Sequence, residues 1–361
     1  MNADGMPVRV AVVGLGYWGP NLVRNLHELP DADLALICDV DEEALAKVGR
    51  RYPGVERTTD FNRLLDDRTL DAVVISTPVA THFALAMQSL EAGKHVLVEK
   101  PMASSSREAL ELMAFAEERG LVLMPGHTFL YSPPVNAVRD LIRSGELGDI
   151  YFISSSRVNL GLHQPDVSVV WDLGPHDFSI LRYWLDEAPL FVSATGRGCV
   201  MPSVPDVAFV TLGFPTGAIA NVHLAWLAPT KLRQTVVVGS RKMVVYDDTS
   251  REPVRIHDSG AILDDPETFG EYRLTYRTGS IVSPPIEASE PLSIELRDFS
   301  IAIREDVEPN SSPQIGLDVI EIVEAAELAM TEPGVAVRLG PRERCASSRY
   351  GLASTLRSPG R

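Results

Sequence analysis

The sequence predicts an α/β domain with a doubly wound, mainly parallel sheet over residues 1–128, then an α+β domain with a large, mainly antiparallel sheet over residues 129–340. Three observations carry this expectation. Short apolar runs alternate with helix-length segments as far as about residue 128, the grammar of βαβ units. The first run closes on the turn Gly14-Leu15-Gly16-Tyr17-Trp18-Gly19. Beyond residue 130, extended segments follow one another with few helices between them. A chain of 361 residues is also too long for one ordinary domain of roughly 100–200 residues.

In the first domain, strands are expected at 8–13, 34–39, 71–77, 95–99 and 121–125, with a weaker one at 55–58. They are apolar throughout rather than alternating, as strands covered on both faces are. Helical spacing fills the intervals at 18–29, 42–51, 80–92 and 107–119. In the second domain, helices are expected at 134–143, 175–185, 292–304 and 315–330. Strands are expected there at 150–158, 190–197, 207–214, 218–226, 233–238, 243–246 and 273–276. The segment 341–361, within a stretch rich in Ser, Arg and Gly, is expected to be a flexible tail.

Composition narrows the function. Hydrophobic residues make up 45% of the chain and charged residues 23%, the balance of a globular protein with a sizeable core. A formal net charge of −16 repels phosphate backbones and anionic headgroups. It argues against nucleic-acid and membrane partners, while a local basic pocket remains compatible with it. Cys38, Cys199 and Cys345 lie far apart with no metal-ligand spacing, so no metal is expected. Their odd, sparse count fits reduced thiols, and no signal peptide or long apolar span is evident, so a cytoplasmic protein is expected.

A lone GxGxxG pattern says little. Here the turn follows an apolar strand and opens a helical segment, which is the context a dinucleotide-binding (Rossmann) domain requires. Gly14 allows the tight turn, Gly16 lets the backbone approach a pyrophosphate, and Gly19 lets helix and strand pack closely. The helix N-terminus offers its N–H groups to the phosphates. Asp39 stands 20 positions after Gly19, where a carboxylate binds ribose hydroxyls and repels the 2′-phosphate of NADP. Asp41 adds to that repulsion, so NAD is expected in preference to NADP.

Two further groups bring chemistry to that site. The run 95–99 ends in Glu99-Lys100-Pro101, and ligands of parallel α/β sheets bind outside the carboxyl ends of strands. Asp172 and His176 are four residues apart and share a helix face if the helix starts at or before Asp172. Pro175, read as a first-turn residue, places that start nearby. Asp177 reads equally as a cap or a surface residue. A carboxylate beside an imidazole orients the ring and favours its protonated form, which suits proton transfer near neutral pH. With a nicotinamide, these groups make an alcohol-oxidation set: His176 takes the hydroxyl proton and Lys100 hydrogen-bonds the oxygen.

These residues resemble the glucose–fructose oxidoreductase / inositol dehydrogenase (Gfo/Idh/MocA) family. The resemblance covers about residues 7–335 and rests on the glycine turn, Ser76-Thr77-Pro78 with His82, Glu99-Lys100-Pro101, Gly126-His127-Thr128-Phe129, and Asp172 with His176. It implies a Rossmann domain plus an α/β domain whose open antiparallel sheet mediates homodimers or homotetramers. It also implies the roles argued for Lys100, Asp172 and His176, and cofactor contacts from Tyr17, Trp18, Thr77, Pro78, His82 and Glu99. One departure is the stretch before Asp172, Gln164-Pro-Asp-Val-Ser-Val-Val-Trp171, where many members are glycine-rich. With Ser156-Arg157-Val-Asn159 upstream, it resembles the branch acting at C3 of nucleotide-linked hexoses. Arg157 and Asn159, alternate residues of one strand and so on one face, are candidate substrate contacts, as is Tyr131.

The leading expectation is an NAD(H)-dependent dehydrogenase or ketoreductase of a sugar, nucleotide sugar or cyclitol. The alternatives are an NADPH-dependent imine or enone reductase on the same scaffold and a non-catalytic, cofactor-binding regulatory protein. Loss of Lys100, Asp172 or His176 would favour the regulator, and all three are present.

Overall fold

A computed structural model describes residues 6–161, 163, 167–264, 273–332 and 334–340. The chain divides into two compact units, Met1–Thr128 with Leu292–Leu317, and Phe129–Pro291 with Asp318–Gly340. Cys345 and the tail 341–361 lie outside the described residues, as do Gln164, Pro165 and Asp166.

The first unit holds a six-stranded sheet of β1 (Val8–Val13), β2 (Ala32–Cys38), β3 (Glu56–Thr58), β4 (Ala72–Ile75), β5 (His95–Glu99) and β6 (Leu123–Gly126). The strand order is β3-β2-β1-β4-β5-β6 and every pairing is parallel. The order reverses between β1 and β4, the place where such sheets open a ligand crevice at their carboxyl ends. All four residues of β4 are fully buried, which explains why its sequence is apolar without alternation. The helices between strands are α1 (Gly19–Glu28), α2 (Glu42–Gly49), α3 (Asn62–Asp66), α4 (Val79–Glu91) and α5 (Ser106–Arg119). Only the five-residue α3 has no counterpart in the periodicity, being too short to show one.

The second unit contains helix α6 (Pro133–Arg143), strand β7 (Ile150–Leu160), helix α7 (Val169–Leu185) and a run of strands: β8 (Phe191–Arg197), β9 (Val207–Gly213), β10 (Ile219–Ala225), β11 (Leu227–Gly239), β12 (Met243–Asp247), β13 (Val254–Asp264), β14 (Arg273–Val282) and β15 (Val337–Arg338). With β7 they form a nine-stranded sheet in the order β14-β13-β12-β11-β7-β10-β9-β8-β15. Only β7 and β10 pair in parallel, so the sheet is mainly antiparallel. One face is covered: Ala208, Val210 and Leu212, then Ala220, Val222 and Leu224, are all 0% exposed at period two.

Two expectations change. The segment 292–317, read as part of the second domain, groups with the first unit. Helix α8 (Pro291–Glu305) buries Leu292, Leu296, Phe299 and Ala302, and Arg297 and Arg304 both reach Asp31 on the loop before β2. The chain continues through α9 (Pro313–Thr331). Helix α7 also begins six residues before the expected start. Ser168 caps it by accepting from the N–H groups of Val170 and Trp171, which leaves Pro175 in the second turn. An interior proline costs a backbone hydrogen bond. Eleven of the seventeen residues of α7 are buried, and that packing outweighs the local preference.

Candidate active site

In the first unit the glycine turn takes the form its spacing requires. Gly14 has φ +90°, and a Cβ there would collide with the Ser76 carbonyl at the end of β4. A Cβ on Gly19 would run into the carbonyl of Gly14. Around Gly16 no atom beyond the residue itself and its two chain neighbours lies within 4 Å of where a Cβ would stand, so the backbone is open to a ligand there. Helix α1 starts at Gly19 without a side-chain cap. An open glycine backbone beside an uncapped helix start fits a pyrophosphate. Tyr17 is 94% exposed, and Trp18 is half-buried.

Asp39 follows β2 and is tied to this turn. Its Oδ2 accepts from Leu15 N at 2.5 Å and its Oδ1 from Asp41 N at 2.8 Å. The carboxylate therefore clips the turn, and a carboxylate retains further lone pairs for ribose hydroxyls. Asp41 caps α2 through the N–H groups of Glu43 and Ala44.

Thr77 and Pro78 form the loop from β4 to α4, and Thr81 Oγ1 donates to Thr77 Oγ1 at 2.7 Å. His82, expected beside the cofactor, is only 1% exposed. Its Nδ1 lies 2.8 Å from Pro101 O and its Nε2 2.8 Å from Thr77 O. Both ring nitrogens thus face backbone carbonyls, of which a neutral imidazole can donate to only one, and His82 joins two strand-end loops rather than reaching a ligand directly. Burial holds its pKa below the usual imidazole range. Lys100 stands just past β5, half-buried, before a cis peptide bond to Pro101. Burial pushes the Glu99 carboxyl up to about 7 against the opposing pull of Lys100.

In the second unit Asp172 and His176 lie one turn apart on α7, on the same side of the helix and both half-buried. The Trp226 indole, fully buried after β10, donates Nε1–H to Asp172 Oδ2 at 2.9 Å. The His176 ring packs edge-on against Phe129, centroids 5.1 Å apart. The pair is thus held at both members by groups that spacing alone did not reveal. Asn159 is half-buried on β7 with its Oδ1 lacking a hydrogen-bond partner, and it remains placed for a ligand contact.

Arg157 and Tyr131 are both buried. Arg157 is 3% exposed and its Nε donates to Asp177 Oδ2; Ser155 Oγ donates to Asp177 Oδ1 at 2.7 Å. Its guanidinium lies 4.7 Å from the Phe129 ring centroid. It braces the aromatic wall of His176 through Nε and the guanidinium face, while its Nη1 is buried without a hydrogen-bond partner among the described residues. Asp177, 4% exposed, is its counter-ion and not a surface residue. Tyr131 is 3% exposed, within a 3₁₀ turn over Thr128–Tyr131. Asp177→Ala strands the Arg157 charge in the interior. A loss of about 3–5 kcal/mol is expected in denaturant unfolding, the usual effect of breaking a buried pair. Among the described residues no group of three or more His, Cys, Asp or Glu is placed to hold a metal.

Residues 8–127 match the family model described as an oxidoreductase family with an NAD-binding Rossmann fold, and residues 135–245 match the GFO/IDH/MocA C-terminal domain. The chain belongs to the GFO/IDH/MocA oxidoreductase family. Similar members include D-apiose dehydrogenase of Paraburkholderia graminis, 26% identical over 89% of this chain and 87% of that protein. Inositol 2-dehydrogenase 2 of Saccharopolyspora erythraea is 29% identical over 61% of this chain and 67% of its own length. Among solved structures, GenD2 from gentamicin A biosynthesis, in complex with NAD, is 26% identical with a TM-score of 0.78, covering 94% of this chain and 98% of that one. The first unit is therefore a family NAD-binding Rossmann domain. No helix among the described residues is long and apolar enough to cross a membrane.

Proposed function

We propose that this family member is an NAD(H)-dependent dehydrogenase or ketoreductase that interconverts a secondary alcohol and a ketone on a sugar, nucleotide sugar or cyclitol. The observation that carries the proposal is the Asp172–His176 pair on one face of α7, with Asp172 held by Trp226 and His176 by Phe129. Gly14, Gly16, Gly19, Tyr17, Trp18, Asp39, Thr77, Pro78 and Glu99 hold the cofactor, with His82 positioning its loop. When bound, NAD supplies the hydride acceptor. His176 takes the hydroxyl proton, Asp172 orients the ring and steadies its charged form, and Lys100 hydrogen-bonds the oxygen as it becomes a carbonyl. Asn159 is the remaining substrate contact.

The carboxylates of Asp39 and Asp41 at the end of β2 support NAD over NADP. Two of the similar proteins are named for a sugar and a cyclitol, which supports a polyol substrate. The sheet face opposite the core supports self-association. Phe152 and Ile219 are paired in register and 47% and 50% exposed, and Phe209, 48% exposed, stacks on His223. We infer a homodimer or homotetramer through that face. The free thiols of Cys38 and Cys199 support a reducing, cytoplasmic setting.

The test is nicotinamide absorbance with a panel of sugars, nucleotide sugars and cyclitols and their keto forms, with NAD(H) and NADP(H) in parallel. The expected result is turnover on at least one polyol, faster with NAD(H). Silence across the panel in both directions would favour a non-catalytic regulator. Faster turnover with NADP(H) would reject the role given to Asp39.

A further inference from the structure

Within the first unit, buried polar atoms gather beside the Lys100 strand end, and one of the side chains that carry them, Glu295, has no part in the reaction as described. Glu295, on α8, is 0% exposed. Thr128, just past β6, donates Oγ1–H to Glu295 Oε2 at 2.7 Å, while Glu295 Oε1 is buried with no hydrogen-bond partner. Glu99 Oε2 accepts from Lys100 N at 3.3 Å, and Glu99 Oε1 is likewise buried and unpartnered. The Glu99 side chain lies across Gly126, where a Cβ would stand 3.4 Å from Oε1. Both ring nitrogens of His127 are also buried without a hydrogen-bond partner, and the Trp18 indole, its Nε1 likewise buried, faces the Glu99 carboxyl and favours its charged form. The ends of β5 and β6 and helix α8 thus bring two carboxyl groups within electrostatic reach of each other, Glu295 fully buried and Glu99 half-buried beside Lys100.

We propose that Glu295 is a positioning residue for Lys100: paired with Glu99, it confines one proton to the two carboxyls and so sets a single negative charge beside the lysine. The proposal rests on the reading that Lys100 touches the substrate oxygen. Two carboxylates sharing a dry site cannot both ionise, and they titrate as a pair. Glu295 is the member that keeps the proton. Burial and then the neighbouring Glu99 raise its pKa well above the carboxylate range, and Asp298, one turn along α8, adds to the rise. Glu99 has Lys100 as counter-charge and titrates near 7. Of the other titratable neighbours, burial and Lys100 hold His127 down at about 3, and burial lowers His82 against the opposing pull of its two backbone carbonyl partners. The sequence carries a faint sign of this pair. Glu295 interrupts the buried stripe Leu292, Leu296, Phe299 of an amphipathic helix.

The test combines infrared difference spectra of the full chain with the pH dependence of kcat. Above pH 7, wild type minus Glu295→Gln is expected to show the carbonyl stretch of one protonated carboxyl. Glu295→Ala is expected to lower kcat about tenfold with little change in NADH affinity, and Glu295→Gln, a neutral stand-in for the neutral acid, to restore most of that loss. The acid limb of kcat in Glu295→Ala stays at the wild-type pH or moves up, because a neutral neighbour has been removed. The proposal is overturned if the protonated-carboxyl band is missing, if kcat in Glu295→Ala equals wild type, or if the acid limb moves to lower pH, as removal of a second negative charge would cause. The infrared measurement needs no substrate. If Lys100→Ala keeps wild-type turnover, the parent reading fails instead.

Discussion

Lys100→Ala and His176→Ala are each expected to lower kcat by roughly 10²–10⁴-fold, the usual scale for removing a positioned proton donor or acceptor. NADH affinity, followed by fluorescence titration, is expected to change little, because neither side chain belongs to the glycine turn or to the Asp39 clip. The two variants should differ in kind. His176→Ala removes the group that takes the proton, and its residual rate should rise with pH as hydroxide replaces the base. Lys100→Ala removes the hydrogen bond to the developing carbonyl and should show no such rescue. Wild-type rates in either variant would reject the assigned role.

The second large effect separates binding from folding within one turn. Gly16→Ala adds a methyl that meets no atom within 4 Å beyond its own residue and chain neighbours. It is expected to leave the thermal midpoint nearly unchanged and to weaken NADH binding by about a hundredfold or more, because the backbone no longer approaches the pyrophosphate. Gly19→Ala drives its methyl into the Gly14 carbonyl and is expected to lower both thermal midpoint and affinity. If Gly16→Ala bound NADH like wild type, the open space at Gly16 would not be the pyrophosphate seat.

What the chain disclosed in advance follows physical range. The first-unit strands were readable because burial on both faces makes them continuously apolar, as in Ala72–Ile75. The glycine turn was readable because its backbone demands are local. Asp172 and His176 were readable as a spacing. Their supports were not, since Trp226 lies 54 positions from Asp172 and the edge contact of Phe129 with His176 depends on the fold. The ion pair of Arg157 had no local sign, because its partner Asp177 sits on another element. The start of α7 was missed because Pro175 was weighed locally while the helix is held by packing. Strand β13 was missed because Arg255-Ile-His-Asp-Ser-Gly260 carries no apolar alternation; it is held by pairing with β12 and β14. The return of 292–317 to the first unit is a long-range packing choice with no local mark apart from Glu295.

The central claim is hydride transfer at a carbinol carbon, assisted by His176 and Lys100. Its most direct test is single turnover with NADH deuterated at nicotinamide C4 against a panel of keto sugars, nucleotide keto sugars and keto cyclitols, with imine and enone compounds alongside. The result predicted is deuterium on the carbinol carbon of a polyol product with wild-type protein and almost none with His176→Ala. Deuterium found instead on an amine-bearing carbon or a reduced alkene would contradict it.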